Sequence, residues 1–163
     1  MRKKTRTMIL LAAFVGLRVH EIAKVHGRDY DQLAGQLTVL GKGSQIAVIP
    51  INEQLQPFFN TMPTNDWWFP SRKGGHIHRA SVGNCITRAF DRNGIRIETH
   101  QLRHSFGTQL LRVGGDIRVA QTLMRHASIQ STALYVDVEE SQARETTNLL
   151  KIDPPQIFER EDP

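Results

Sequence analysis

The sequence predicts a mainly α-helical fold carrying a small antiparallel β-sheet, an α+β arrangement built as one domain. Three observations lead there. Between Thr99 and Val113 the apolar residues Leu102, Phe106, Leu110 and Val113 recur at steps of four, four and three, the period of a half-buried helix. Between Gln36 and Ile49 two apolar runs are joined by Gly41, Lys42, Gly43 and Ser44, which signals a tight hairpin. Finally, 163 residues fit one domain, able to bury roughly 70% of the surface of the unfolded chain and so to fold without staples.

At the N-terminus, Arg2, Lys3, Lys4 and Arg6 ahead of MILLAAFVGL imitate the charged and apolar regions of a secretory signal. No small-residue cleavage site follows, and the run is too short to span a bilayer. It reads instead as a buried helix over residues 5 to 15, stopped by Gly16. Val19 to Val25 reads as a second helix with Ile22 and Ala23 facing inward. Arg18 sits at the junction and Glu21 follows on the same face, as either a surface ion pair or a phosphate ligand with its orienting carboxylate.

Strands follow at Arg28 to Tyr30, Gln36 to Leu40 and Gln45 to Ile49. Lys42 sits at the hairpin tip. A solvated turn lysine is the ordinary meaning of such a residue, but flanking glycines also let the tip swing toward a ligand. Asn52 can cap a helix running through Leu55 and Phe58 toward Thr61. The loop from Pro63 to Pro70 holds Trp67, Trp68 and Phe69, for which packing is favoured over stacking on bases, since a duplex keeps its bases stacked. Arg72, Lys73, His76, His78 and Arg79 form a basic run ahead of a helix from Ser81 to Phe90 that Gly94 ends; it is a phosphate contact surface or a solvated loop. Cys85 reads as a small core residue of that helix.

The helix of Leu102 and Phe106 places His100 and Arg103 on one face, with Gly107 beside them leaving the backbone open to a close ligand. Gly114 and Gly115 end it, Asp116 can cap the next helix, and His126 lies in the break before a third short helix that Ser128 can cap and that carries Tyr135. A histidine, an arginine, a second histidine and a tyrosine on one tight hairpin look like an anion site with a nucleophile beside it. A polar helix from Glu139 to Leu150 is then broken by Asp153, Pro154 and Pro155. In the last stretch, Gln156 to Pro163, Ile157 and Phe158 stand isolated among charges.

Composition bounds the partners. Lysine plus arginine number 21 against 16 aspartate plus glutamate, a net charge of +5, which suits a polyanion but is also common among proteins that bind none. The single cysteine excludes an internal disulfide or cysteine-rich zinc site and fits a reducing cytoplasm.

HQLRHSFGTQLL followed by LMRHASIQSTALYV resembles the two C-terminal motifs of the tyrosine recombinases, the phage integrase family. GLRVHEIAKV resembles that family's first arginine motif, and GKGSQIAVIPI its lysine-bearing hairpin. The motifs occur in the family's order from about Val15 to Leu150. The resemblance implies a tyrosine recombinase catalytic-domain-like fold over residues 1–150, with residues 151–163 as a tail that docks on a neighbouring protomer or frays. It also implies double-stranded DNA as partner, a tetrameric synaptic complex on DNA from subunits that associate weakly alone, and a cytoplasmic, nucleoid-associated location in a bacterial or phage-infected cell. Full-length integrases add N-terminal DNA-binding domains, so with Arg18 so early the expectation is a catalytic-domain fragment or a short member that binds weakly alone and loses affinity steeply with salt.

The residue types suit phosphoryl transfer. Attack on a phosphodiester places negative charge on nonbridging oxygens, which the rigid guanidinium forks of Arg18 and Arg103 match. Tyr135, with an ordinary pKa of about 10, needs nearby cations or a base to act as nucleophile. His100 is the expected base, His126 a hydrogen-bond donor to the phosphoryl oxygen, and Lys42, its pKa lowered by the arginines, the acid for the departing sugar oxygen. Glu21 is expected to support rather than react. The resemblance supplies the polarity: a tyrosine link to the 3′ phosphate, a freed 5′ hydroxyl, and attack by another strand's 5′ hydroxyl.

No cofactor or metal is expected, because the arginines already meet the charge that a divalent ion would neutralise. His100 and His104 have the spacing of a helical zinc pair, yet Gln101 stands where a zinc protease would carry its glutamate. Two rivals stay open: type IB topoisomerase-like relaxation, and a non-catalytic helix-turn-helix DNA-binding module over Asp116 to Val136. Against the family's pattern, Arg125 stands where glycine is common and Gly107 where alanine is frequent. Arg72, Lys73, Arg79 and Arg125 are the remaining candidates for DNA contact.

Overall fold

Thr7, Met8, Ile9, Leu10, Leu11, Ala12 and Phe14 are all buried in helix α1 (Lys3–Phe14), so α1 is apolar nearly all round and forms the axis of the core. A computed structural model describes residues 2–41, 46–114, 116–125 and 140–152 of the chain. Against α1 pack α2 (Val19–Ala23), α4 (Arg79–Asp91) and α5 (Thr99–Arg112). The short α3 (Gln56–Phe59) precedes α4, α6 (Ile117–Met124) packs on α5, and α7 (Glu140–Asn148) lies beside α6 and the sheet.

The sheet has three antiparallel strands in the order β1 (Tyr30–Asp31), β2 (Gln36–Leu40), β3 (Ile46–Pro50). Leu37 opposes Tyr30 on one side and Ile49 on the other, so the register carries one apolar row across the sheet into the core. The pleat turns Leu40, Ile46 and Val48 outward. No helix among the described residues is long and apolar enough to cross a membrane.

Helices, hairpin and sheet thus follow the sequence, with local differences. Where a strand was expected at Arg28 to Tyr30, residues Gly27–Asp29 form one 3-10 turn. Its cause is local: the His26 amide donates to Asp29 (2.9 Å) and His26 Nδ1 accepts from the Arg28 amide (3.2 Å), closing the turn before a ladder can start. Asn52 Oδ1 accepts from the Gln54 amide at 2.8 Å, in the turn that leads into α3 and not at the first residue of the helix. Its buried amide donates to the carbonyls of Thr147 (2.8 Å) and Leu150 (3.1 Å), satisfying the C-terminal end of α7. The packing expected of the aromatic loop holds for Trp68 and Phe69, each 1% exposed, with Trp68 meeting Phe59 and Tyr30 at ring distances of 5.3 and 5.8 Å. Cys85 is half-buried against the core. Asp116 caps α6 as expected, its carboxylate accepting from the Arg118 amide at 2.7 Å.

Candidate active site

Gly16 ends α1 with φ +67°, and a Cβ there would stand 2.5 Å from the ring of Phe106. Only glycine lets the turn lie this close to α5. The contact brings the Gly16 carbonyl to Arg103, one helical turn before Phe106, and Arg103 donates to Gly16 and to the Met124 carbonyl at the end of α6.

Arg18 arrives from the same turn. Its amide donates to Glu21 Oε2 at 2.7 Å and its Nη1 to Oε1 at 3.1 Å, so Glu21 caps α2 and holds the guanidinium together. Arg18 Nη2 donates to the Arg125 carbonyl at 3.0 Å. The C-terminal carbonyls of α6, the negative end of its dipole, therefore receive both Arg103 and Arg18. The Arg125 side chain turns inward, its Nη2 donating to Glu21 Oε2 at 2.9 Å and to Gly16 at 3.2 Å.

Arg18 and Arg125 therefore pair with one carboxylate whose side chain is 0% exposed, and Arg103 joins them at the Gly16 carbonyl that Arg125 also meets. Burial first, then the like charges of Arg18 and Arg125, push Arg103 down to about 10, with Glu21 opposing. Burial likewise lowers Arg125, with Arg18 acting in the same direction and Glu21 against it. A buried excess of cation with rigid N–H forks is an electrostatic host for an oxyanion.

The structure thus joins Arg18, Glu21 and Arg103, the sequence's proposed clamp and its support. His100 lies in the first turn of α5 and is largely exposed, its Nδ1 3.2 Å from Glu98 Oε2 and its ring 5.9 Å from that of His104. Lys42, His126 and Tyr135, with the helix expected after Ser128, lie outside the described residues. Arg72, Lys73 and Arg79 are exposed, as a DNA contact requires. Arg79 opens α4 beside α2, close enough to act with Arg18 and Lys24 in lowering His20, for which burial is the first cause and Glu21 the opposing one. Arg79, the last residue of the basic run, thus lies near the helix that carries Glu21.

One sequence expectation changes. Gly107 does not leave space for a ligand: Met124 of α6 occupies it, with its sulfur and Cε each 3.2 Å from where a Cβ would be. Arg125, a candidate for DNA contact, faces into the cluster, because the turn that ends α6 directs it onto Gly16 and Glu21. Sequence reasoning missed the role of the Gly16 carbonyl, for which no side chain signals, and the Glu98 partner of His100, which a carboxylate two residues away could have suggested.

A family model described as "Phage integrase family" matches residues 1–142. Tyrosine recombinase XerC of Proteus mirabilis is 33% identical over 150 residues, 83% of this chain and 48% of that protein. Tyrosine recombinase XerD of Staphylococcus saprophyticus is 29% identical over 158 residues, 89% of this chain and 54% of that protein. Among solved structures, the integrase from mycobacterium phage Brujita is similar with a TM-score of 0.85 at 38% identity, over 99% of this chain and 58% of that one. The XerA recombinase structure is similar with a TM-score of 0.66 at 25% identity, over 88% and 56%. The chain spans about half the length of the curated relatives it matches.

Proposed function

The chain belongs to the phage integrase family, and from that premise we propose that it cleaves and rejoins DNA strands at specific sites through a covalent 3′-phosphotyrosine intermediate. The observation that carries this reading is the convergence of Arg18 and Arg103, from separate helices, around one buried carboxylate. A helix-turn-helix module that only binds DNA has no need of that arrangement.

In this reading Arg18 and Arg103 exchange their carbonyl partners for the two nonbridging oxygens of a phosphodiester. The Tyr135 oxygen attacks phosphorus as His100 takes its proton, and the bond from phosphorus to the 5′ oxygen breaks. Lys42 protonates that oxygen, and His126 donates to a phosphoryl oxygen. A 5′ hydroxyl from a second strand reverses the sequence, so one phosphoester replaces another and no nucleotide is consumed. Glu21 keeps the guanidinium forks in register. Arg72, Lys73 and Arg79 meet the flanking backbone, and copies of the chain assemble on duplex DNA as a tetramer. The 38% identity to a phage integrase favours phage integration or excision as the setting, with residues 1–150 as the catalytic domain acting in the cytoplasm on the nucleoid.

The test is covalent capture on a randomised library of nicked duplexes, separated by denaturing electrophoresis without magnesium. Wild type should give a slow-migrating adduct with a recoverable consensus, and Tyr135→Phe should abolish it while still shifting DNA under native conditions. An adduct undiminished in Tyr135→Phe overturns the assignment. Relaxation of supercoiled plasmid with no joining of two duplexes would favour the topoisomerase reading.

A further inference from the structure

Arg125 carries a combination of features that the two-arginine clamp leaves unexplained. Its backbone lies at φ 48°, ψ 50°, and it is the only non-glycine at positive φ among the described residues. A side chain there is strained, and glycine would relieve the strain without altering the turn. The side chain that bears this strain is not solvated: it is 13% exposed and runs inward between Gly16 and Glu21.

Only one of its nitrogens is used there. Nη2 makes both contacts, while Nε and Nη1, with three N–H donors between them, are buried with no partner among the described residues. Glu21 does not need the additional cation either, since its two oxygens already receive the Arg18 amide and Nη1. Among the described residues, Arg18, Arg103 and Arg125 against Glu21 leave two positive charges in excess. Buried donors without acceptors and buried charge without counter-charge call for the same thing, an anion entering the cluster.

We propose that Arg125 is a third guanidinium of the oxyanion site, contributing its free Nε and Nη1 donors to the phosphate that Arg18 and Arg103 hold. The inference rests on the phosphate-site reading above and adds to it a substrate-binding residue. The left-handed turn folds the Arg125 side chain back into the cluster, beside the Arg18 guanidinium that meets its carbonyl.

Inorganic phosphate is the probe. Thermal unfolding of the full chain is followed across a millimolar phosphate titration at constant ionic strength, for wild type, Arg125→Gly, Arg125→Lys, Arg18→Ala and Arg103→Ala. Wild type should show a saturable rise in Tm. Arg125→Gly should need about 10-fold more phosphate for the same rise, the loss expected for one charge-assisted contact, with Arg125→Lys intermediate. Because the readout is the response to phosphate and not the starting Tm, relief of backbone strain in the glycine variant does not mask it. A full wild-type response in Arg125→Gly, with the response lost in Arg18→Ala and Arg103→Ala, overturns the proposal and leaves the two-arginine site standing. No saturable response in wild type overturns both.

Discussion

Glu21 sets one carboxylate against three guanidinium groups in a place that water does not reach, so its charge cannot be removed cheaply. Glu21→Gln should lower unfolding stability by about 3 kcal/mol in urea titrations, the usual cost of leaving a buried charge without its partner. Millimolar phosphate should restore part of that loss, whereas a purely structural carboxylate would show no such rescue. His20, next to it in sequence, gives a pH signature. Burial holds its folded pKa below the ordinary 6.5, so as pH falls through 6.5 the unfolded chain takes up the proton first and stability drops, levelling beneath the folded pKa. Comparing urea midpoints at pH 7.5 and 5.5, the gap should narrow in His20→Gln; an unchanged gap would assign the dependence elsewhere. At this scale Arg18, Glu21 and Arg103 were legible because their type and spacing carry the chemistry. The inward turn of Arg125 was not, because it depends on where α6 ends relative to a glycine far away in the chain.

Between elements, the contact of Gly16 with Phe106 sets the distance from the first arginine to the second. Gly16→Ala combines a left-handed backbone with a clash against a 1%-exposed ring, and should cost about 3 kcal/mol in thermal or urea unfolding. A loss well under 1 kcal/mol would mean that the turn can move without penalty, and that this contact does not fix the spacing of the two arginines. Periodicity made α1, α5 and the β2–β3 hairpin readable, since burial on one face leaves its record in local spacing. It did not reveal the partners of Asn52 on α7, which are distant in sequence, and it failed at Gly27–Asp29, where side-chain hydrogen bonds override strand propensity. Long-range satisfaction of backbone groups leaves no periodic trace.

Across the whole molecule, an α1-centred core brings the turn at Gly16, the first half of α5 and the end of α6 to one place, and α4, which opens with Arg79, packs against α2 beside it. Removing the exposed charges of Arg72 and Lys73 together should weaken non-specific duplex binding and reduce the slope of log affinity against log salt by about 2, one for each lost phosphate contact. An unchanged slope would place the DNA elsewhere. In the proposed reaction Arg18 and Arg103 act on one and the same phosphate. A double-mutant cycle on single-turnover cleavage of a captured nicked duplex measures this directly. Each of Arg18→Ala and Arg103→Ala should slow cleavage by about 10²- to 10³-fold, and the double variant by far less than the product of the two. Losses that simply multiply would mean that the two arginines act independently, and would contradict a shared phosphate site.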